Sequence, residues 1–140
     1  MKLAIINGPN LNLLGKREPD IYGSVSFESF FEQLQAKYPA ISFTYFQSNV
    51  EGELVNEIQR AGFECDGIII NPAAYTHTSV AIGDAVAAIK AKVIEVHISN
   101  IFSREEFRKI SYVSAKAVGV ISGLGLKGYE LAVEYFINAK

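Results

Sequence analysis

Short apolar runs alternate with longer amphipathic stretches over the whole chain. In the longer stretches apolar residues recur at helical spacing, as Leu54, Ile58 and Ala61 do near the middle and Tyr129 and Phe136 do near the end. This alternation is typical of βα units around a parallel sheet, with the apolar helix faces covering the strands. The predicted strands are 2–7, 41–47, 67–71, 93–98 and 117–121.

Five strands with intervening helices predict an α/β fold, a flavodoxin-like three-layer sandwich with a five-stranded parallel sheet, formed by residues 1–140 as one domain. In such folds ligands bind beyond the carboxyl ends of the strands. The chemistry is therefore expected in the segments that follow strands one, three and four, which are 8–23, 72–77 and 99–108.

Composition narrows the class of partner. The 140 residues carry 13 basic and 15 acidic side chains, with no run of like charge, so neither a nucleic-acid nor a membrane surface is indicated and a small-molecule partner is expected. The single cysteine, Cys65, excludes an intrachain disulfide and is compatible with a reducing compartment. No apolar run approaches the ~20 residues that cross a bilayer, and the expected location is cytoplasmic.

The segment after the first strand is much longer than the ~2 to 6 residues of an ordinary βα connection. It holds Arg17 and Tyr22, and Gly15 and Gly23 can act as flexible ends of a lid. A nearby guanidinium lowers the pKa of a phenol, so Arg17 could turn Tyr22 into a base. A solvated basic loop with a packing tyrosine explains the same residues equally well.

The segment after the third strand begins at Asn71 and enters a helical stretch that Thr76 or Thr78 could cap. The spacing of His77 and Asp84 puts both on one helical face, where an acid among small apolar residues needs a partner or an interface. A lone histidine near a cap is more often structural, but Asn71 and Asp84 nearby favour a ligand site.

In the fourth strand apolar residues alternate with Glu95, His97 and Ser99. A central strand of a doubly covered sheet should be apolar on both faces, so a polar row requires an explanation. On an internal strand the row suits general acid catalysis, with Glu95 fixing the imidazole of His97. On an edge strand the same residues would be ordinary solvent-facing groups.

After this strand, Ser103 and Glu106 have the spacing of a capping box and predict the start of a helix. Arg104 and Arg108 would then lie one turn apart at the helix N-terminus, which favours a carboxylate ligand. Each arginine could instead pair with a neighbouring glutamate. The only two histidines, His77 and His97, lie in no cluster with metal-ligand spacing, so a metal site is not expected.

Four separated stretches together resemble the type II 3-dehydroquinate dehydratases: INGPNLNLLGKREPDIYG at 6–23, QSNVEGEL at 47–54, INPAAYTHTSVA at 70–81 and EVHISN at 95–100. The resemblance covers essentially the whole chain. It implies no cofactor, dehydration of 3-dehydroquinate to 3-dehydroshikimate in the shikimate or quinate pathway, and a homododecamer built from trimers. One departure is the Ile101-Phe-Ser run, where the family commonly has histidine and alanine before the arginine.

The resemblance also implies residue roles. Tyr22 would abstract the proton at C2, Arg17 would stabilise the charged states, and His97 would protonate the departing C1 hydroxyl. Glu95 would orient His97, and Asn10 would hold a water against the enolate. The implied substrate-binding residues are Asn71, His77, Asp84, Ile98, Ser99 and Arg108, with Asp84 reaching the active site of a neighbouring chain.

Two alternatives stay open at this point. A flavodoxin-like binding domain could cradle a phosphate in the segment after the first strand, although that segment lacks a glycine-rich nest. A noncatalytic oligomeric relative of the family is the other.

Overall fold

The computed structural model describes residues 1–16, 20 and 24–139. Its sheet has five parallel strands in the order β2-β1-β3-β4-β5. The strands are β1 (Lys2–Asn7), β2 (Ser42–Gln47), β3 (Gly67–Asn71), β4 (Lys92–His97) and β5 (Gly119–Ser122). The α-helices that lie wholly within the described residues are α1 (Phe27–Lys37), α2 (Glu51–Glu64), α3 (Val80–Ala88) and α4 (Lys127–Asn138). The predicted flavodoxin-like sheet is confirmed, with each strand within two residues of its predicted bounds.

The helices cover both faces of the sheet, which makes three layers. Helices α1 and α4 bury their apolar faces in one cluster with alternate residues of β1, β3 and β4, and helices α2 and α3 do the same on the other face. Tyr129 and Phe136 lie in the first cluster and Leu54, Ile58 and Ala61 in the second, as the helical spacing predicts. None of the helices in the described part of the chain has the length and apolar character that spanning a bilayer requires.

The strand register brings polar residues to one level at the carboxyl edge of the sheet. Asn7 at the end of β1 lies beside Gln47 of β2 and Asn71 of β3, and His97 at the end of β4 lies beside Ser122 of β5. Polar side chains from five consecutive strands therefore meet above the apolar core.

Strand β4 lies between β3 and β5, so the edge-strand interpretation of the Glu95 and His97 row is wrong. Glu95 is 0% exposed and His97 is 5% exposed. The row is a buried polar feature of an internal strand, which must be explained by its hydrogen-bond partners.

The predicted cap of the third helix is corrected by the structure. Ser79 caps α3, because its Oγ accepts a hydrogen bond from the backbone N–H of Ile82 at 3.0 Å. His77 belongs to a separate 3₁₀ turn, Ala73–His77, so it does not share a face of α3 with Asp84. This turn follows β3 directly, with only Pro72 between them, and it ends before the α-helix begins.

The predicted helix with a capping box at Ser103 and Glu106 is wrong. The chain forms three short 3₁₀ turns here, Ile101–Ser103, Glu106–Lys109 and Ser114–Lys116. Asn100 accepts the capping hydrogen bond from Phe102, and the Ser103 hydroxyl donates to the backbone carbonyl of Asn100 at 2.8 Å. A local side-chain bond to the preceding turn therefore replaces the N-cap that the spacing predicted.

The loops after β1 and β3 touch at Gly8. Its backbone N–H donates to the carbonyl of Asn71 at 2.8 Å, and a Cβ at Gly8 would lie 2.4 Å from the carbonyl oxygen of Pro72. The nearest atoms belong to the Pro72 backbone, so no change of rotamer can make room for a side chain at residue 8.

We expect Gly8→Ala to lower the free energy of unfolding by about 1–3 kcal/mol, because the added methyl must push two backbone segments apart. Gly52→Ala is the matched control. Gly52 lies in α2, and a Cβ added there would meet nothing within 4 Å. That control should be neutral or stabilise by up to about 1 kcal/mol. Urea denaturation of the two variants measures both; equal midpoints would show that the contact places no constraint on the fold.

Candidate active site

A pocket opens at the carboxyl edge of the sheet, above β1, β3 and β4. It is lined by Pro9, Asn10, Leu11, Leu13, Leu14, Asn71, Ala73, Ala74, His77, His97, Ile98, Ser99, Ile101, Arg104 and Arg108. Its walls come from the three segments in which the strand order predicted the chemistry. The leucines after β1 supply an apolar wall, and the segments after β3 and β4 supply most of the polar groups.

His97 is held by Glu95 on the same strand. The imidazole Nε2 donates to the Glu95 carboxylate at 2.7 Å, so Nδ1 is the nitrogen that remains for a ligand in the pocket. The carboxylate lies beneath the histidine and fixes both its ring orientation and its tautomer. The predicted pairing of Glu95 with His97 is therefore present in the geometry.

Two serines far along the chain complete the surroundings of Glu95. The Ser114 hydroxyl donates to one carboxylate oxygen at 2.5 Å, and the Ser111 hydroxyl donates to the other at 3.3 Å. Burial acts to raise the pKa of Glu95, but the hydrogen bonds from His97 and from the two serines outweigh it, and the pKa lies below its usual value. Glu95 is thus an anion beside His97.

His77 presents a neutral imidazole to the same pocket. Its ring lies 6.3 Å from the ring of His97, centroid to centroid, with the planes 22° apart. Nδ1 donates to the backbone carbonyl of Ile110 at 2.7 Å, which leaves Nε2 as an acceptor. Burial lowers the pKa of His77, and the neighbouring His97 and Arg108 act in the same direction. A ligand hydroxyl could therefore donate to this nitrogen.

The arginines after β4 make the pocket favourable for an anion. Arg104 Nη1 donates to the Ser99 hydroxyl at 3.3 Å. Arg108 donates through Nε to Glu105 and stacks 5.0 Å above the centre of the Phe107 ring. Pairing with a glutamate, the alternative considered for each arginine, is thus observed for Arg108. Arg108 nevertheless lines the pocket, and its guanidinium has further donors for a ligand.

Asn10 reaches the pocket from a strained turn. Its φ is 69°, in the left-handed region, and its backbone N–H donates to the Asn49 side chain at 3.0 Å. Gln47 donates to the same Asn49 oxygen at 3.2 Å and to the carbonyl of Gly8 at 3.1 Å. An amide cluster from the end of β2 therefore fixes the turn that carries Asn10, a role that sequence reasoning missed.

The predicted site residues divide into three groups. Those that line the pocket are Asn10, Asn71, His77, His97, Ile98, Ser99 and Arg108, while Glu95 supports His97 from behind. Asp84 does not line it: its side chain is 72% exposed on α3 and lies 3.4 Å from Lys116. Arg17 and Tyr22 lie outside the described residues.

Ser111 and Ser114 were missed because nothing local marks them. They lie 16 and 19 residues from Glu95 in a stretch of short turns, and no periodicity connects them to β4.

In the described part of the chain no three His, Cys, Asp or Glu side chains group as a metal site would require.

These features define an α/β enzyme site: a pocket at the carboxyl edge of a parallel sheet, an imidazole oriented by a buried carboxylate, and guanidinium groups for a small anion. An imidazole oriented by a carboxylate can carry out acid–base chemistry there.

The chain belongs to the class II dehydroquinase family, whose family model, described as Dehydroquinase class II, matches residues 1–137. A 3-dehydroquinate dehydratase of Aliarcobacter butzleri is 53% identical over 135 residues, which are 95% of this chain and 82% of that protein. The crystal structure of a type II dehydroquinase from Butyrivibrio crossotus superposes with a TM-score of 0.94 at 47% identity, over 99% of this chain and 98% of the other. The corresponding structure from Propionibacterium acnes gives a TM-score of 0.92 at 42% identity, over 96% and 94%. The predicted family and enzyme class are confirmed.

The lowered pKa of Glu95 predicts a pH-dependent contribution to stability. A carboxylate whose pKa is lower in the folded state stabilises the fold above its unfolded pKa, near the ordinary value of 4.5. This contribution is lost as the pH falls through the folded pKa. The stability of wild-type protein relative to Glu95→Gln should therefore decrease as the pH falls below that value. Urea denaturation from pH 3 to 7 measures it, and a pH-independent difference would contradict an ionised Glu95.

Proposed function

We propose that this protein is a hydro-lyase that converts 3-dehydroquinate to 3-dehydroshikimate and water through an enolate, in the shikimate pathway or in quinate catabolism. Membership of the class II dehydroquinase family supports the reaction, and the pocket supports the chemistry. The observation that carries the proposal is the buried Glu95–His97 pair at the pocket wall. The route needs neither a metal nor a cofactor, because the proton to be removed is already acidified by the ketone.

In the first step Tyr22, as the phenolate, takes the proton from C2 and the C–H electron pair moves into the carbonyl to give the enolate. Arg17 favours the phenolate by its charge. Leu13 and Leu14, which come just before the segment that carries both residues, line the pocket. That position supports a lid which brings Tyr22 over the ring of the substrate and excludes water.

In the second step the enolate electrons return, the C1–O bond breaks, and His97 donates its Nδ1 proton so that the hydroxyl leaves as water. Glu95 stabilises the imidazolium before this transfer, since it is an anion bonded to Nε2. Such general acid assistance is worth roughly a hundredfold to ten thousandfold. Asn10 holds a water against the enolate oxygen, and the strained turn that carries it supports a fixed position.

The substrate is oriented by the remaining pocket residues. Its carboxylate binds the Ser99 hydroxyl and the backbone near Ile98, close to the guanidinium groups that make this wall positive. Its ring hydroxyls bind Asn71, His77 and Arg108. The neutral state of His77 supports an acceptor role toward one of these hydroxyls.

Assembly completes the site in this proposal. Asp84 lies outside the pocket of its own chain and is exposed on α3, which supports a contact with the active site of a neighbouring chain. The corresponding assembly is a homododecamer built from trimers, each chain being a single catalytic domain over residues 1–140. A cytoplasmic location suits a reaction of this kind.

Purified protein should form the conjugated enone from 3-dehydroquinate, followed by its ultraviolet absorbance. Tyr22→Phe and His97→Gln should each lower kcat by about 10²- to 10⁴-fold, because each removes one proton-transfer group. Tyr38→Phe is the matched control for Tyr22→Phe. The Tyr38 hydroxyl donates to Glu134 of α4, and Tyr38 does not line the pocket. Near-normal turnover by Tyr22→Phe would reject the base, and an unchanged rate for His97→Gln would reject the acid.

Asp84→Ala should lower kcat/KM by about 10- to 100-fold, the cost of losing a charged hydrogen bond. Co-assembly with His97→Gln should then restore activity, because about a quarter of the sites in a random mixture combine an intact His97 with an intact neighbouring Asp84. Mixing Tyr22→Phe with His97→Gln is the control and should restore nothing, since both residues serve the same chain's site. Absence of restoration in the first mixture would place Asp84 outside the neighbour's active site.

A further inference from the structure

Tyr129 of helix α4 connects the ends of two central strands. Its hydroxyl lies 2.8 Å from the Asn7 carboxamide oxygen and 3.1 Å from the Asn71 Nδ2, and the residue is 0% exposed. Asn7 and Asn71 are the last residues of β1 and β3 and lie side by side in the sheet. Asn71 also lines the pocket, whereas Tyr129 does not.

The directions of the hydrogen bonds that join Asn71, Tyr129 and Asn7 follow from one donor whose role is unambiguous. The backbone N–H of Ala73 lies 3.1 Å from the Asn71 side chain and can only donate, so the carboxamide oxygen of Asn71 must face it. The Nδ2 of Asn71 then faces Tyr129 and donates to the hydroxyl oxygen. Because Nδ2 cannot accept, the single Tyr129 proton goes to Asn7.

The hydroxyl of Tyr129 stays protonated in this environment. Burial raises the pKa of Tyr129, which keeps the proton that it donates to Asn7. The side chain is locked among Phe27 and Phe30, whose ring centres lie 5.0 Å and 5.8 Å from its own. The hydroxyl is therefore a rigid acceptor for Asn71.

Among the described residues, the Asn71 Nδ2 donates one proton to Tyr129. Its second proton can be donated into the pocket. Asn71 would present the opposite group, its carbonyl oxygen, if the carboxamide rotated by half a turn. The alternative orientation would set Nδ2 against the Ala73 N–H and its oxygen against Tyr129, which would break the hydrogen bond to the turn. Ala73 has φ 54°, so this bond also supports a strained turn.

We infer that Tyr129 is a positioning residue that, together with the Ala73 N–H, holds Asn71 as a hydrogen-bond donor toward a hydroxyl of the substrate. The inference rests on the proposed function. It gives the last helix, which contributes no residue to the pocket, a part in substrate recognition.

A double-mutant cycle of Tyr129→Phe with Asn71→Ala, assayed with 3-dehydroquinate, tests the inference. Tyr129→Phe should lower kcat/KM about tenfold, mainly through KM, which is the effect of one lost hydrogen bond. In the Asn71→Ala background the same change should alter kcat/KM less than twofold, because the residue through which Tyr129 acts is gone. Tyr135→Phe, an exposed tyrosine of the same helix, is the control and should stay within twofold of wild type.

Additive losses in the cycle would overturn the inference, because a purely structural role acts equally in both backgrounds. Wild-type-like KM in Tyr129→Phe would overturn it as well. Free energies of unfolding are measured on the same samples. If Tyr129→Phe does not fold, Asn7→Ala takes its place with the same expected cycle, because without its acceptor the Tyr129 proton turns toward Asn71 and competes with the donor orientation of that carboxamide. Wild-type protein without turnover would instead overturn the proposed function, and this inference with it.

Discussion

The structure depends on one ionised carboxylate inside a sheet that is covered on both faces. Glu95 lies on an internal strand with 0% exposure, where an unpaired charge would cost several kcal/mol. Three donors surround it: the imidazole of His97 and the hydroxyls of Ser111 and Ser114. The donors that make the charge tolerable also orient the imidazole, so the stability of the strand and the chemistry of the pocket share one set of hydrogen bonds.

A second polar network, without charge, lies one strand away. Asn7 and Asn71 end β1 and β3, and Tyr129 joins them through its hydroxyl. Here directionality rather than charge determines the outcome, because each group has a fixed number of protons to give. In the proposed function, the first network serves proton transfer and the second serves recognition of the substrate.

The sheet could be predicted closely because its signals are local and repeated. Short apolar runs, separated by longer stretches in which apolar residues recur at helical spacing, specify βα units. The rule that ligands bind at the carboxyl edge then locates the pocket. The pairing of Glu95 with His97 was accessible for the same reason, since residues two apart on a strand share a face. The edge-strand alternative could be rejected only with the strand order in hand.

Contacts between distant residues were beyond such reasoning. Nothing in the sequence near Ser111 or Tyr129 indicates that each contacts a strand residue many positions away. The capping predictions failed where several polar residues compete: Ser79 rather than Thr76 or Thr78 caps α3, and the Ser103 hydroxyl donates to the Asn100 carbonyl instead of capping a helix. Spacing identifies the candidates in such clusters, and the backbone path selects among them.

Residues 101–116 contain only short turns, with no strand ladder or α-helix to hold them. The Ser111 hydroxyl accepts the backbone N–H groups of Val113 and Ser114 while it donates to Glu95, so the order of this stretch is anchored on the same carboxylate. A change that loosens this stretch therefore also disturbs Glu95, and with it the orientation of His97, the proposed proton donor. A ligand that engages the arginines of this stretch would, by the same coupling, stiffen the histidine that serves it.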